Sequence, residues 1–211
     1  GLAAIREGEA ELPTAQIVTD GNRHVEIKKH LIANVYHNGA VANDCKEWFD
    51  LNPTTGKFTI VPGNKSFEAG VYTFDFKLTT YVVGEQDEEG IFPNALRLDV
   101  TSAPYGLTYN PTSVLIEKGY SGKSGKPEFK GSKDELVFTL KSVSPSNTIG
   151  ITVDDATGTI RFPETSAVND GDQYIVSVTA TNKYGTKDFD NIFAFDVTDF
   201  IYPISEVTYE N

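Results

Sequence analysis

The 211-residue chain contains no methionine, not even at position 1. Its first residue is therefore not expected to be a translation start. Gly1 reads as the remnant of a cleaved tag or as the first residue of a processed form. Cysteine is almost missing as well. Cys45 stands alone, which excludes an intrachain disulfide. A free cysteine is ordinarily a buried, small apolar residue, and a reactive role would need a neighbouring base that the sequence does not identify. No apolar run approaches the roughly 20 residues that cross a bilayer, and no signal peptide is present. Basic side chains are scarce: 18 against 30 acidic residues, a formal net charge of −12. A surface of that sign repels phosphate backbones and anionic bilayers, which argues against nucleic acid and membrane partners. Uncharged glycans and basic protein surfaces stay open.

Sustained helical periodicity is also missing. In its place stand 13 Phe, 10 Tyr, 18 Gly and 10 Pro among many β-branched residues, a mixture that favours strands joined by tight turns.

The strongest signal is internal repetition. "FDLNPTTGKFTI" (49–60) and "ITVDDATGTIRF" (151–162) align with Thr55-Gly56 on Thr157-Gly158, an offset of 102. The same offset sets Tyr72 on Tyr174, and Phe74, Phe76 and Leu78 on Val176, Val178 and Ala180. Each half closes alike, with "LRLDV" (96–100) or "FAFDV" (193–197). Within "DDATGTI", Asp154 and Asp155 open a turn, and Gly158 takes the positive-φ position that only glycine adopts cheaply. Tyr174, Val176 and Val178 alternate with polar neighbours, the pattern of a strand buried on one face. Short alternating strands at about 100 residues per unit predict an all-β chain of two tandem sandwich modules. We place them at 1–102 and 103–203, with the boundary in "TSAPYG" (101–106). Each half carries 9 basic and 15 acidic residues, a charge of −6. "SEVTYEN" (205–211) resembles "YGLTYNP" (105–111), so residues 204–211 are expected to start a third module or form a tail imitating one.

No GxSxG elbow, HExxH pair, phosphate-cradling loop or supported Cys–His arrangement occurs. A sandwich of about 100 residues has little room for a deep cleft, so no enzyme is expected. Three binding candidates remain. Trp48 shares strand parity with Asp50 and should face outward or sit at the sandwich edge, where an indole can stack on a sugar ring; equally, it can cover the end of the core. Tyr81 ends a strand just before "GEQDEEG" (84–90), whose four acids in five residues suit calcium ligation or simply a solvated hairpin tip. Asp188, Asp190 and Asn191 in "KDFDN" offer a second set of calcium ligands, with both aspartates on one strand face. His24, His30 and His37 lack the spacing of a zinc site.

With those elements in hand, "LTYNP", "GITVDDATGTI", "DGDQYIVSVTATNKYGT" and "FAFDV" follow the order seen in bacterial immunoglobulin-like and cadherin-like modules. The second unit resembles that family from Pro104 to Val197; the first does so mainly from Phe49 to Val100. Tandem copies of this kind are similar to those in exported lipoproteins of Bacteroidetes, including surface glycan-binding types. The resemblance implies a monomeric, non-catalytic, cell-surface module pair, anchored at the outer membrane through a removed N-terminal segment. As implied roles it offers a spacer or binding platform touching glycan, a protein adhesion module, or accessory domains of an enzyme whose catalytic domain lies elsewhere. Calcium bridging between modules is not implied. Asn182 stands where calcium-binding relatives carry Asp, and "TSAPYG" holds no acid.

Overall fold

The structure is a computed structural model and describes residues 5–6, 14–16, 25–61, 67–82 and 84–201. His24 and the tail at 204–211 lie outside the described residues. The chain divides into two compact units, Gly1–Ser102 and Ala103–Asn211.

The first unit runs β1 (Ile5–Arg6), β2 (Ala15–Gln16), β3 (Val25–His37), β4 (Ala40–Val41), a 3-10 helix (Asn43–Trp48), β5 (Phe49–Leu51), β6 (Lys57–Ile60), β7 (Gly70–Val82) and β8 (Glu88–Thr101). One sheet has the order β1-β8-β7-β3-β4 and the other β2-β6-β5. Alternation along β7 turns Tyr72, Phe74, Phe76 and Leu78 inward, where all four are buried. Phe74 sits at the centre of an aromatic cluster, edge-on to Phe49 at 4.7 Å and to Phe58 at 5.0 Å, the arrangement ring quadrupoles favour.

The second unit runs β9 (Tyr105–Thr108), β10 (Ser113–Glu117), β11 (Gly122–Lys123), β12 (Glu128–Lys130), β13 (Val137–Ser144), β14 (Thr152–Val153), β15 (Ile160–Phe162), β16 (Gln173–Asn182) and β17 (Gly185–Thr198). Its largest sheet is β10-β17-β16-β13, facing β11-β15-β14, with β12-β9 as a separate pair. Its core gathers Ile151, Ile160, Phe162, Val176, Phe193 and Phe195. Asn182 closes the β16–β17 hairpin. Its Oδ1 accepts from the N–H groups of Tyr184 (2.8 Å) and Gly185 (3.1 Å), and its Nδ2 donates to Ser132 O at 2.8 Å.

Register reproduces the repeat residue by residue. Tyr72 pairs with Leu98 and Phe74 with Leu96; Tyr174 pairs with Phe195 and Val176 with Phe193. The repeated turn obeys one geometry in both units. Gly56 has φ 67° and Gly158 φ 71°, a region that costs a side chain free energy. Space is short too. A Cβ on Gly56 would lie 2.8 Å from His30 Nε2, and one on Gly158 2.7 Å from Pro127 Cγ. Ahead of each glycine a short polar side chain fastens the turn. Asn52 Oδ1 accepts from Thr54 and Thr55 N–H, and Asp154 Oδ1 from Thr157 N–H and Oγ1. Those bonds hold the Asp154 carboxyl below its ordinary pKa.

Tyr109 ties the second unit's entry to this turn. Its ring is buried, and its hydroxyl donates to Gly158 O at 2.6 Å; burial pushes its pKa well up. Tyr109→Phe leaves that carbonyl without its donor. It should cost about 1 kcal/mol, read as a lower urea midpoint for the second unit with an unchanged slope.

In both units the first strand of the larger sheet runs parallel to the last. Ile5 pairs with Val100 in one, and Ser113–Glu117 with Ala194–Thr198 in the other. Parallel first and last strands mean that the chain enters each sandwich at one pole and leaves at the opposite pole.

Candidate functional site

Trp48 is the last residue of the 3-10 helix, so the parity of the following strand does not govern its side chain. The indole is half-buried against the core and meets Phe67 edge-on at 5.2 Å. The helix turns it over the end of the sandwich, the core-covering alternative of the two. Tyr81 lies nine residues beyond Tyr72 on β7, about 30 Å along the strand. Phe67, which contacts Trp48, also meets Tyr72 edge-on at 6.0 Å, so the structure does not bring the two candidate aromatics together. Tyr81 already has a partner: Lys28 Nζ stands 4.0 Å from its ring centroid and 2.7 Å from Asp87 Oδ1. The acids of 84–90 are likewise partly committed, with Glu89 2.6 Å from Lys77 Nζ.

Asp188 and Asp190 do converge, but around a side-chain cation. Lys141 Nζ lies 2.9 Å from Asp188 and 2.8 Å from Asp190. Bonds to Asp190 and Asp188 raise the lysine pKa, while Thr179 Oγ1, donating at 2.6 Å, and then Lys141 lower that of Asp188. The two carboxylates thus share one ammonium. At Asn191 the backbone has φ 52°, and its N–H donates to Ser177 Oγ at 3.0 Å. Among the described residues no group of three or more His, Cys, Asp or Glu is arranged to hold a metal.

Asp75, which the sequence reading did not single out, has the most specific polar environment in the first unit. It lies between the inward-facing Phe74 and Phe76, yet it is buried. On either side β3 and β8 bulge, at Ile32/Asn34 and opposite Phe74/Phe76, and fold polar groups over it. Asn34 Nδ2 (3.0 Å) and Tyr36 OH (2.9 Å) donate to Oδ2, and Asn94 N–H (2.9 Å) donates to Oδ1. Burial alone would raise the carboxyl pKa; the three donors outweigh it and hold the value below the usual range. Ser177 is the same position in the second unit, receiving Asn191 N–H as Asp75 receives Asn94 N–H.

Residues 3–100 match the family described as BT4661, second Ig-like domain, and residues 107–198 match BT4661, third Ig-like domain. The chain is a tandem pair of Ig-like domains, one matching each description. No curated protein matches the sequence. Among solved structures, human CDH23 EC21-23 is 13% identical with a TM-score of 0.52, over 93% of this chain and 72% of that one. The human desmocollin-1 ectodomain is 14% identical with a TM-score of 0.50, over 92% of this chain. At such identities the likeness reports fold. The chain spans 38% of the desmocollin-1 ectodomain and 47% of Drosophila N-cadherin EC1-4.

In the first Ig-like domain Cys45 is buried in the core. Burial, then the charges of Asp44 and Glu68, push its thiol pKa up, which disfavours the nucleophilic thiolate. The polar groups described here therefore bind one another; what they do chemically is fix strand geometry.

Proposed function

We propose that this chain is a non-catalytic extracellular module pair that spaces and presents binding elements of a larger surface protein. The observation behind this reading is the parallel pairing of first and last strands in each domain. A sandwich entered at one pole and left at the other adds its own length to a chain of modules. A strand of 14 residues such as β17 measures about 45 Å. Separate core clusters, one in each unit, suit that role. Export to the cell surface, and anchoring by a lipid at the outer membrane, fit the same reading.

Domain replacement tests it. In the full-length surface protein, exchange of this pair for two unrelated Ig-like domains with the same strand directions is expected to preserve ligand binding at the cell surface. Loss of binding, with surface display intact, would show that the pair itself supplies the contact. In that case the second reading takes over, a protein adhesion module; the specific feature favouring it is exposed Ile91 and Phe92 on β8. Contact with an uncharged glycan through Trp48 or Tyr81 has weaker support, because core contacts and Lys28 already occupy those rings.

A further inference from the structure

The two domains provide a controlled comparison, because the same stretch of the last strand is built differently in each. Ile91 pairs with Lys77 and Asp188 with Thr179, positions that correspond in the repeat. Pro93 and Asp190 likewise each follow by one residue the partner of Phe76 or of Val178, opposite the bulge. Lys141 is the extra residue of the β13 bulge between Leu140 and Ser142; its counterpart between Ile32 and Asn34 is Ala33. On this strand the second domain thus carries two aspartates, held by Lys141 from β13 across β16, whereas the first has Ile91 and Pro93, with Ala33 at the lysine's position on β3. Charges placed on an edge strand are a common device against pairing with another chain. In the first domain the acids stop at Glu88 and Glu89, and the uncharged Ile91 stands where the second has Asp188.

What the first domain shows at that edge has the form of an acceptor. Among the described residues, β8 is paired on its outer side only at Val100 and Thr101, so the backbone from Glu88 to Phe92 presents an open row of donors and acceptors. Ile91 is directed to the outer face and is 61% exposed; Phe92, on the inner face, is 49% exposed. Among the described residues no strand lies beside them, and one added strand would cover both, with one side chain on each face. Pro93 has no N–H to donate, which limits such pairing to the five residues before it. Glu85 and Glu88 are exposed at the open end, with no ion pair among the described residues.

We infer that the β8 edge from Glu88 to Phe92 accepts an extended segment of a partner protein, with neighbouring apolar residues, one for each face, where it passes Ile91 and Phe92, and basic residues where it passes Glu85 and Glu88. The inference rests on the adhesion reading. A second copy of this chain fits poorly, since two molecules of net charge −12 would meet at their acidic ends.

The probe is a capped seven-residue peptide of three central Val flanked by two Lys on each side, titrated into the 15N-labelled 211-residue chain. The control peptide carries the same charges with Pro at two of the Val positions. Amide shifts are expected at Glu88 to Phe92, with none for the control. In G90K/I91D, which installs the Lys187-Asp188 pair of the other domain, affinity should fall about tenfold or more. Circular dichroism should show the variant folded. Equal affinity in the variant, shifts spread over other acidic surfaces, or no shift near 1 mM peptide would each overturn the assignment. So would a concentration-dependent dimer that the variant abolishes, which would give the edge to a second copy. A natural partner captured equally by wild type and variant would leave adhesion standing and remove only this edge.

Discussion

Phe74→Ala is expected to remove about 3–5 kcal/mol from the first domain and nothing measurable from the second. Phe74 is fully buried, and its ring is the contact point of Phe49, Phe58 and Phe76. Truncation loses the transfer free energy of the ring and leaves a cavity that three other aromatic rings cannot collapse to fill. For a domain of this size the loss corresponds to a drop in melting temperature on the order of 20 °C. The mirror experiment is Phe195→Ala, whose ring is fully buried against Phe162 at 5.2 Å and Phe193 at 5.0 Å. The two core clusters share no residue. Calorimetry should therefore resolve two transitions, each substitution lowering only one. A single transition shifted equally by both would mean that the domains unfold as one body, and the modular reading would fail.

The all-β architecture was legible because its signals are local and duplicated. A Thr-Gly turn and a strand alternating Tyr72, Phe74, Phe76 and Leu78 each suggest little alone. Finding them again at a fixed offset implies the same register twice, and the pairing of Tyr72 with Leu98 and Tyr174 with Phe195 realises it. The positive φ at Gly158 followed from the same turn chemistry.

Side-chain surroundings were less legible, since long-range pairing decides them. Trp48 was assigned a strand parity that the preceding 3-10 helix cancels. Tyr81 looked available because Lys28, which covers it, is 53 positions earlier in the chain and reaches it only through the pairing of β3 with β7. Asp188 and Asp190 were correctly placed on one face. Their sequence neighbourhood gave no hint that Lys141, on another strand, would lie between them. Bulges explain most of the remainder. Each breaks the two-residue alternation from which facing was inferred, and the buried Asp75 lies between two of them.

Asp75→Ala should therefore be the most damaging polar substitution in the first domain, costing about 2–3 kcal/mol. It removes the shared acceptor of three donors, Asn34 Nδ2, Tyr36 OH and Asn94 N–H, at a position that is itself buried. Asp75→Ser should recover part of the loss, because Ser177 meets the same backbone donor with a hydroxyl in the other domain. Protonation supplies an independent check. The folded carboxyl pKa is held below its ordinary value, while in the unfolded chain it titrates near about 3.9. The carboxylate contribution is thus complete above that pH and fades as pH falls through the folded value. Urea midpoints of wild type and Asp75→Asn, compared at about pH 7 and at the lowest pH where both stay folded, should differ clearly at the first and less at the second. A gap of equal size at both would show that the charge of Asp75 contributes nothing, and that the bulge is held by packing alone.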